Sequence, residues 1–257
     1  MKHAPLRIVV LFSLLNTSFA IAQIKGYLNY TKVIKDNFLP SARNESYIVY
    51  LNGSRSMEVN LPLNSPMRPP VIKDPEVSVG VVQSKGGKSS FLLKDFKAKT
   101  FIQGTDVESK YFLVEDTLSN FVWTITKDKQ KILDYTCSKA TTSFRGRNYE
   151  AWFTKEVPVK NGPWKFCGLP GLIVKVGDTD GVYTFNLVSL NLESADELSL
   201  EIPEKYSKDK MVSHREFINR YHKAVEDLAA QSSTYTDFQT GETYVSKGSF
   251  PPIIEKY

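Results

Sequence analysis

Cysteine and histidine are both scarce in this chain of 257 residues: two cysteines and three histidines, one of the latter at position 3. There is no C-x-x-C pair, so thiol redox chemistry of the thioredoxin kind and zinc-ribbon ligation both lack their ligands. G-x-S-x-G, H-E-x-x-H, a Walker loop and a dinucleotide fingerprint are also missing, which removes the common sequence signatures of hydrolases, metalloproteases, nucleotide hydrolases and dehydrogenases. No internal repeat or low-complexity domain is present. The longest early apolar run, Ile8 to Leu15, rises only about 12 Å as a helix, far short of a hydrocarbon core of roughly 30 Å.

That run belongs to a leader. Lys2 and Arg7 precede it without an acid, and small residues close it at Ala20-Ile21-Ala22. Residues 1–22 therefore read as a removable signal peptide, leaving a mature chain of about 235 residues, residues 23–257, expected to form a single domain. No cysteine stands near the cut to carry a lipid. Apolar residues at 41% and charged residues at 24% support a genuine core. With the leader gone the net charge is only +3. Six bases fall in a short stretch (Lys127, Lys129, Lys131, Lys139, Arg145, Arg147). They read as a solvated strand face before they read as an acidic-partner site, and export argues against nucleic acid. In an exported chain the economical reading of Cys137 and Cys167 is one structural disulfide, closing a loop of about 31 residues and adding roughly 3–4 kcal/mol.

The chain is rich in strand signals. Tyr47–Leu51 and Met57–Leu61 flank Asn52-Gly53, a hairpin signal. Prolines 62, 66, 69, 70 and 75, followed by Gly86-Gly87, predict a long Pro/Gly-rich loop over about 62–90. Strands are predicted over Tyr111–Glu115, Phe121–Thr126, Ile132–Phe144 and Tyr149–Val159, with turns at Asp128-Lys129-Gln130 and at Arg145–Asn148. Leu133, Tyr135 and Cys137 would then share one face. Leu172–Val176 and Val182–Leu192 flank Gly177–Gly181, whose Asp178 and Asp180 lack the further ligands of a calcium loop and serve a turn. Ser213-His214-Arg215-Glu216 fits a capping box, and Phe217, Tyr221, Ala224, Val225 and Leu228 form a helical apolar stripe that should lie on the sheet. His222 and Glu226, four apart, suit a surface pair better than a metal site. A last hairpin is placed around Thr240-Gly241. The fold class is α+β, predominantly antiparallel β: a curved meander sheet or partial barrel with at least one C-terminal helix packed on it.

The most unusual stretch runs from Tyr149 to Val176. Trp152 and Trp164 bring large amphipathic rings, Gly162-Pro163 punctuates the chain, and Pro170-Gly171 predicts a type II turn from Leu169 to Leu172. The hexapeptide Gly168-Leu169-Pro170-Gly171-Leu172-Ile173 resembles the signature of the GLPGLI family. Lys131–Ala140, Phe144–Arg147, Ala151–Phe153, Pro158 and Gly162–Trp164 are similar to its wider pattern in the same order. The pattern departs at Asp134, where glycine is expected. What the resemblance implies is an exported cell-envelope protein, periplasmic or extracellular, with no catalytic residue, metal or cofactor to carry over. The hexapeptide has no side chain able to move a proton or attack a carbonyl, so it reads as architecture. The expectation is a non-catalytic binding or accessory protein for a lipid, a peptide or an outer-membrane partner, with Trp152 and Trp164 as candidate binding-surface aromatics. The alternative is a secreted hydrolase working through carboxylates or through His214 or His222.

Overall fold

The structure is a computed structural model that describes residues 24–35, 42–61, 90–107, 110–118, 121–193, 199–230, 232–236, 239, 243–247 and 255. The expected leader, the Pro/Gly-rich loop over 62–89 and the tip at Thr240-Gly241 lie outside the described residues.

Alternation of apolar and polar residues dominates the sequence, and the chain satisfies it with one open, curved sheet. Its strands are β1 (Lys25–Ile34), β2 (Arg43–Asn52), β3 (Arg55–Leu61), β4 (Phe91–Asp95), β5 (Thr100–Val107), β6 (Lys110–Thr117), β7 (Thr124–Ile132), β8 (Tyr135–Phe144), β9 (Arg147–Thr154), β10 (Leu172–Asp178), β11 (Tyr183–Asn191) and β12 (Lys210–Ser213). They are ordered β12-β6-β5-β4-β3-β2-β1-β11-β10-β9-β8-β7. Every pairing is antiparallel except β12 on β6, which is parallel. Two meanders, β1–β6 and β7–β11, thus join side by side through the β1–β11 ladder. The helix α1 (His214–Ala230) packs its Phe217, Tyr221 and Ala224 on Val107, Phe112, Val114 and Val212. The last hairpin is β13 (Ser232–Thr236) with β14 (Thr243–Lys247).

Turn chemistry sets the registers. Asn52 pairs with Arg55, so the loop is Gly53-Ser54, and only Gly53 takes a positive φ, 58°. That is the pattern of a hairpin turn with glycine at its first central position. Phe144 pairs with Arg147, and both Arg145 and Gly146 take positive φ. The turn predicted at Asp128-Lys129-Gln130 is not there. β7 runs through it, and the chain reverses at Leu133-Asp134, with Leu133 at φ 52°. β7 is an edge strand exposed on both faces, so it offers no burial alternation, and its polarity imitated a loop. Leu133 is therefore exposed and shares no face with buried Cys137. Asp134, where glycine is expected, falls in this reversal. The capping box forms by half: Ser213 Oγ accepts from the Glu216 amide at 3.2 Å, while the Glu216 carboxylate turns to Lys210 and Arg220.

The disulfide reading is overturned: both cysteines are free and buried. Cys137 packs from β8 among Leu28, Tyr30, Val49 and Leu172. Cys167 sits in another cluster, with Leu92, Phe101 and Leu118, its Sγ 3.5 Å from the Leu118 carbonyl. Both side chains are used as small apolar groups, and burial pushes both thiols up, away from thiolate chemistry.

Between β9 and β10 the chain does not run as a tight hairpin. Residues 155–171 form a strap laid across one face of the sheet, and the hexapeptide is its return bend. Leu169, Leu172 and Ile173 are buried, while Gly168 and Pro170 are exposed. The bend is tighter than a type II turn, because the Gly171 amide bonds the Leu169 carbonyl at 2.9 Å, two residues back. Gly171, at φ 153°, passes so near β9 that an added Cβ would stand 1.9 Å from the Thr154 carbonyl oxygen. Replacing Gly171 with alanine should therefore cost about 3 kcal/mol or more, lowering Tm by about 6–12 °C for a chain of this size. Pro170→Ala, on the exposed shoulder of the bend, should cost about 1 kcal/mol or less. Equal melting of the two variants would show that the close approach is not limiting. Denatured without reductant, the protein should react with two equivalents of a thiol reagent.

Candidate functional site

Cross-strand neighbours share a face, so the register identifies one side-chain row without further assumption. Phe185 on β11 pairs with Lys32 on β1, and Lys32 with Glu45 on β2. Two residues along β2, Tyr47 pairs with Asn60 on β3. Two residues back along β3, Glu58 pairs with Leu92 on β4, which pairs with Gln103 on β5. These side chains, with Thr105, Ser90 and Trp164 of the strap, line a cleft of 210 Å³.

Behind β3 and β4 the reverse face is closed. Val59, Phe91 and Leu93 pack there on Leu200 and Tyr206, with the Phe91 and Tyr206 rings 4.8 Å apart and edge-on. An added Cβ at Gly104 would enter the Phe91 ring, at 2.2 Å. The cleft therefore has a rigid floor.

Its wall is the strap, fixed by polar contacts as well as by the apolar packing of Trp164, Phe166 and Leu169. Lys94, fully buried on β4, donates to Asn161 Oδ1 at 2.9 Å and to the Gly162 carbonyl at 2.8 Å. The Trp164 amide donates to Glu58 Oε2 at 2.6 Å. Trp164 carries φ 48°, costly for a residue with a Cβ, and this bond and the packing of its ring on Phe144 and Phe166 hold it there. Burial raises the Glu58 carboxyl pKa, against the opposing pull of Lys94 and the Trp164 amide. Burial draws the Lys94 ammonium down to about 8, against Cys167 and Glu58. At the far end Glu45 resists the upward push of burial, since Lys32, Tyr47 and Arg43 outweigh it. Lys32 lies 3.4 Å from Glu45, and the Tyr47 hydroxyl donates to the same carboxylate.

Of the two aromatics predicted for a binding surface, Trp164 borders the cleft. Trp152 does not: it is half-buried against the cluster around Cys137 and Val174. The hexapeptide contributes no side chain to the lining. The row Lys32, Glu45, Glu58, Asn60, Gln103 and Thr105 escaped the sequence reading. Its one local trace is the alternation Ser56, Glu58, Asn60 against Met57 and Val59, which marks a polar face without saying that a distant strap will cover it.

The residues weighed as bases stand elsewhere. His222 is half-buried on α1 beside the Tyr221 ring, and no group of three or more ligating side chains occurs among the described residues. His214 belongs to an ionic network in which Glu255 Oε1 takes Arg145 at 2.8 Å and Lys165 at 2.7 Å, and Arg145 also pairs with Asp116. Its ring Nε2 is 3.4 Å from Glu255. Arg147 likewise turns inward, onto Asp178 at 2.8 Å, with both side chains almost fully enclosed. Asp178 thus serves its turn by also accepting from the Tyr183 amide. Breaking such a pair from one side typically costs roughly 3–5 kcal/mol. Two of the six clustered bases are thereby spent internally, and Lys139 pairs with Glu150.

Burial, then Lys165, pulls His214 down from 6.5 to about 4 despite Glu255 and Asp116. Below pH 6.5 the unfolded chain takes a proton that the folded chain refuses until about pH 4, so stability should fall as pH drops through this window. His214→Asn should make the dependence of Tm on pH shallower between those limits. An unchanged slope would assign the acid sensitivity to other groups.

Comparison with known proteins locates the strap again. The family described as a protein of unknown function (Porph_ging) matches residues 145–175, from the turn after β8 through β9 and the strap into β10. No curated protein matches in sequence. Among solved structures, PNGF-II is similar over 84% of this chain at 16% identity and a TM-score of 0.50; the match spans 35% of PNGF-II, so this chain corresponds to about a third of it. A LolA superfamily protein from Nitrosomonas europaea matches over 72% of this chain and 90% of its own, at 8% identity and a TM-score of 0.29. A DUF1329 family protein from Desulfovibrio piger matches over 69% and 89%, at 7% identity and a TM-score of 0.31. The likeness to PNGF-II is one of fold: this chain shares its sheet architecture with a section of a larger protein.

Proposed function

We propose that the chain is an exported, non-catalytic binding protein of the cell envelope, of the GLPGLI type, and that its ligand occupies the cleft beside the strap. On this reading residues 1–22 are removed on export and residues 23–257 form one domain, periplasmic or extracellular. No helix among the described residues is long and apolar enough to cross a membrane. The observation that carries the reading is that six adjacent strands, β5 through β11 in sheet order, and the family-matching strap form one lined recess. Where the sequence pointed to a lipid, a peptide or an outer-membrane partner, the lining, largely amide, hydroxyl and charge, suits a small polar molecule or a polar portion of a larger one better than a lipid tail.

The hydrolase reading has one observation in its favour. Glu58, a buried carboxyl whose pKa burial raises, lines the cleft where a general acid or base would have to stand. Native mass spectrometry of protein purified from its own envelope should retain a bound small molecule. Thr105→Trp, which fills the cleft from the outer end of β5's row, should lose it without lowering Tm. Recovery of the same molecule from both proteins would place the ligand elsewhere. Glu58→Gln should retain the ligand; a chemically altered ligand on wild type that stays intact on Glu58→Gln would establish catalysis instead.

A further inference from the structure

The cleft holds two populations of polar groups. Its charges are already matched: Lys32 and Tyr47 with Glu45, and Glu58 with the Trp164 amide above the buried Lys94. The remaining groups are neutral. The amides of Asn60 and Gln103 and the hydroxyls of Ser90 and Thr105 are half-buried in the lining, and none bonds the side chain of another described residue. They lie on or beside β3, β4 and β5, and each can both donate and accept. A half-buried amide without a partner is a cost unless water or a ligand satisfies it.

A charged ligand gains little here, because it would have to break the internal pairs or enter without a counter-charge. A peptide recognised by strand addition needs a free backbone edge. β3, β4 and β5 are each paired on both sides, so they have none to give. What suits amides and hydroxyls beside Trp164 and Phe185 is a ring with hydroxyls around its rim and C–H groups on its faces. The 210 Å³ recess lies below the roughly 300–1,000 Å³ of drug-sized pockets and suits one such ring.

Resting on the cleft as the ligand site, we infer that its ligand is an uncharged sugar unit, free or at the end of a glycan. Asn60 and Gln103 bind its hydroxyls, and Trp164 bounds the ring. The probes are neutral monosaccharides, including hexoses, deoxyhexoses and N-acetylhexosamines, and their short oligomers, set against uronic acids, unacetylated hexosamines and neutral tripeptides. Binding is measured by calorimetry and by tryptophan fluorescence. At least one neutral sugar should bind saturably. Asn60→Ala and Gln103→Ala should each weaken it by about fivefold or more at unchanged Tm. Thr105→Trp should abolish it, and raising the salt concentration should leave it within about twofold. Preference for the charged sugars or the tripeptides, or binding that Asn60→Ala and Gln103→Ala leave intact, overturns the assignment. If no sugar binds while native mass spectrometry recovers another ligand that Thr105→Trp removes, the sugar assignment falls and the cleft stands. If Thr105→Trp removes nothing, both fall.

Discussion

Two charged side chains drawn under a loop organise this molecule. Lys94 and Glu58 stand on adjacent central strands and face the strap, where Lys94 fastens Asn161 and Gly162 and Glu58 receives the amide of Trp164. Burying either alone would be prohibitive, and together they are costly enough to move both acidities away from their ordinary values. The contact therefore has to be geometrically complete, with backbone carbonyls, an amide oxygen and a main-chain N–H all aimed inward. Such an arrangement often supplies less net stability than well-packed apolar groups would, but its bonds are directional and match the strap in the position observed. The cleft wall inherits that definition.

The rest of the strap follows. Once Asn161 and Gly162 are pinned, the chain must rise to place Phe166 in the aromatic cluster with Tyr149, Trp164 and Phe185, and then descend into β10. Gly162 is itself confined, since a Cβ there would come within 2.9 Å of Ile173. The bend at Leu169-Pro170-Gly171 completes the descent in the few residues left, and Gly171 passes the end of β9 closer than any side chain allows. A hexapeptide devoid of reactive groups is thus intelligible as the return path of a loop anchored elsewhere.

Local features were legible wherever a short-range rule decided them. Gly53 and Gly146 announced their reversals, Ser213 the start of α1, and Phe217, Tyr221 and Ala224 the face it buries. What could not be read depends on partners far along the chain. Glu58 alternates with Met57 and Val59 as any surface residue would, and only the strap a hundred residues later makes it internal. Two cysteines behind a leader-like segment invited a bridge, yet sequence carries no sign that they belong to separate clusters. β7 defeated the periodicity rules for the opposite reason, having no buried side to be periodic about. Its neighbour Leu133 then turned the chain in a conformation that leucine rarely announces.

An open sheet also has margins. On one, β12 is four residues long and backed by α1. The other, β7, has no strand paired on its outer side among the described residues, which leaves its main-chain donors and acceptors there outside the ladder. There Lys127, Lys129 and Lys131 recur at every second position, and two such borders brought together would face like charge with like. The polarity that disguised this segment in the sequence is of the kind that discourages neighbouring copies from zipping into a continuous ribbon.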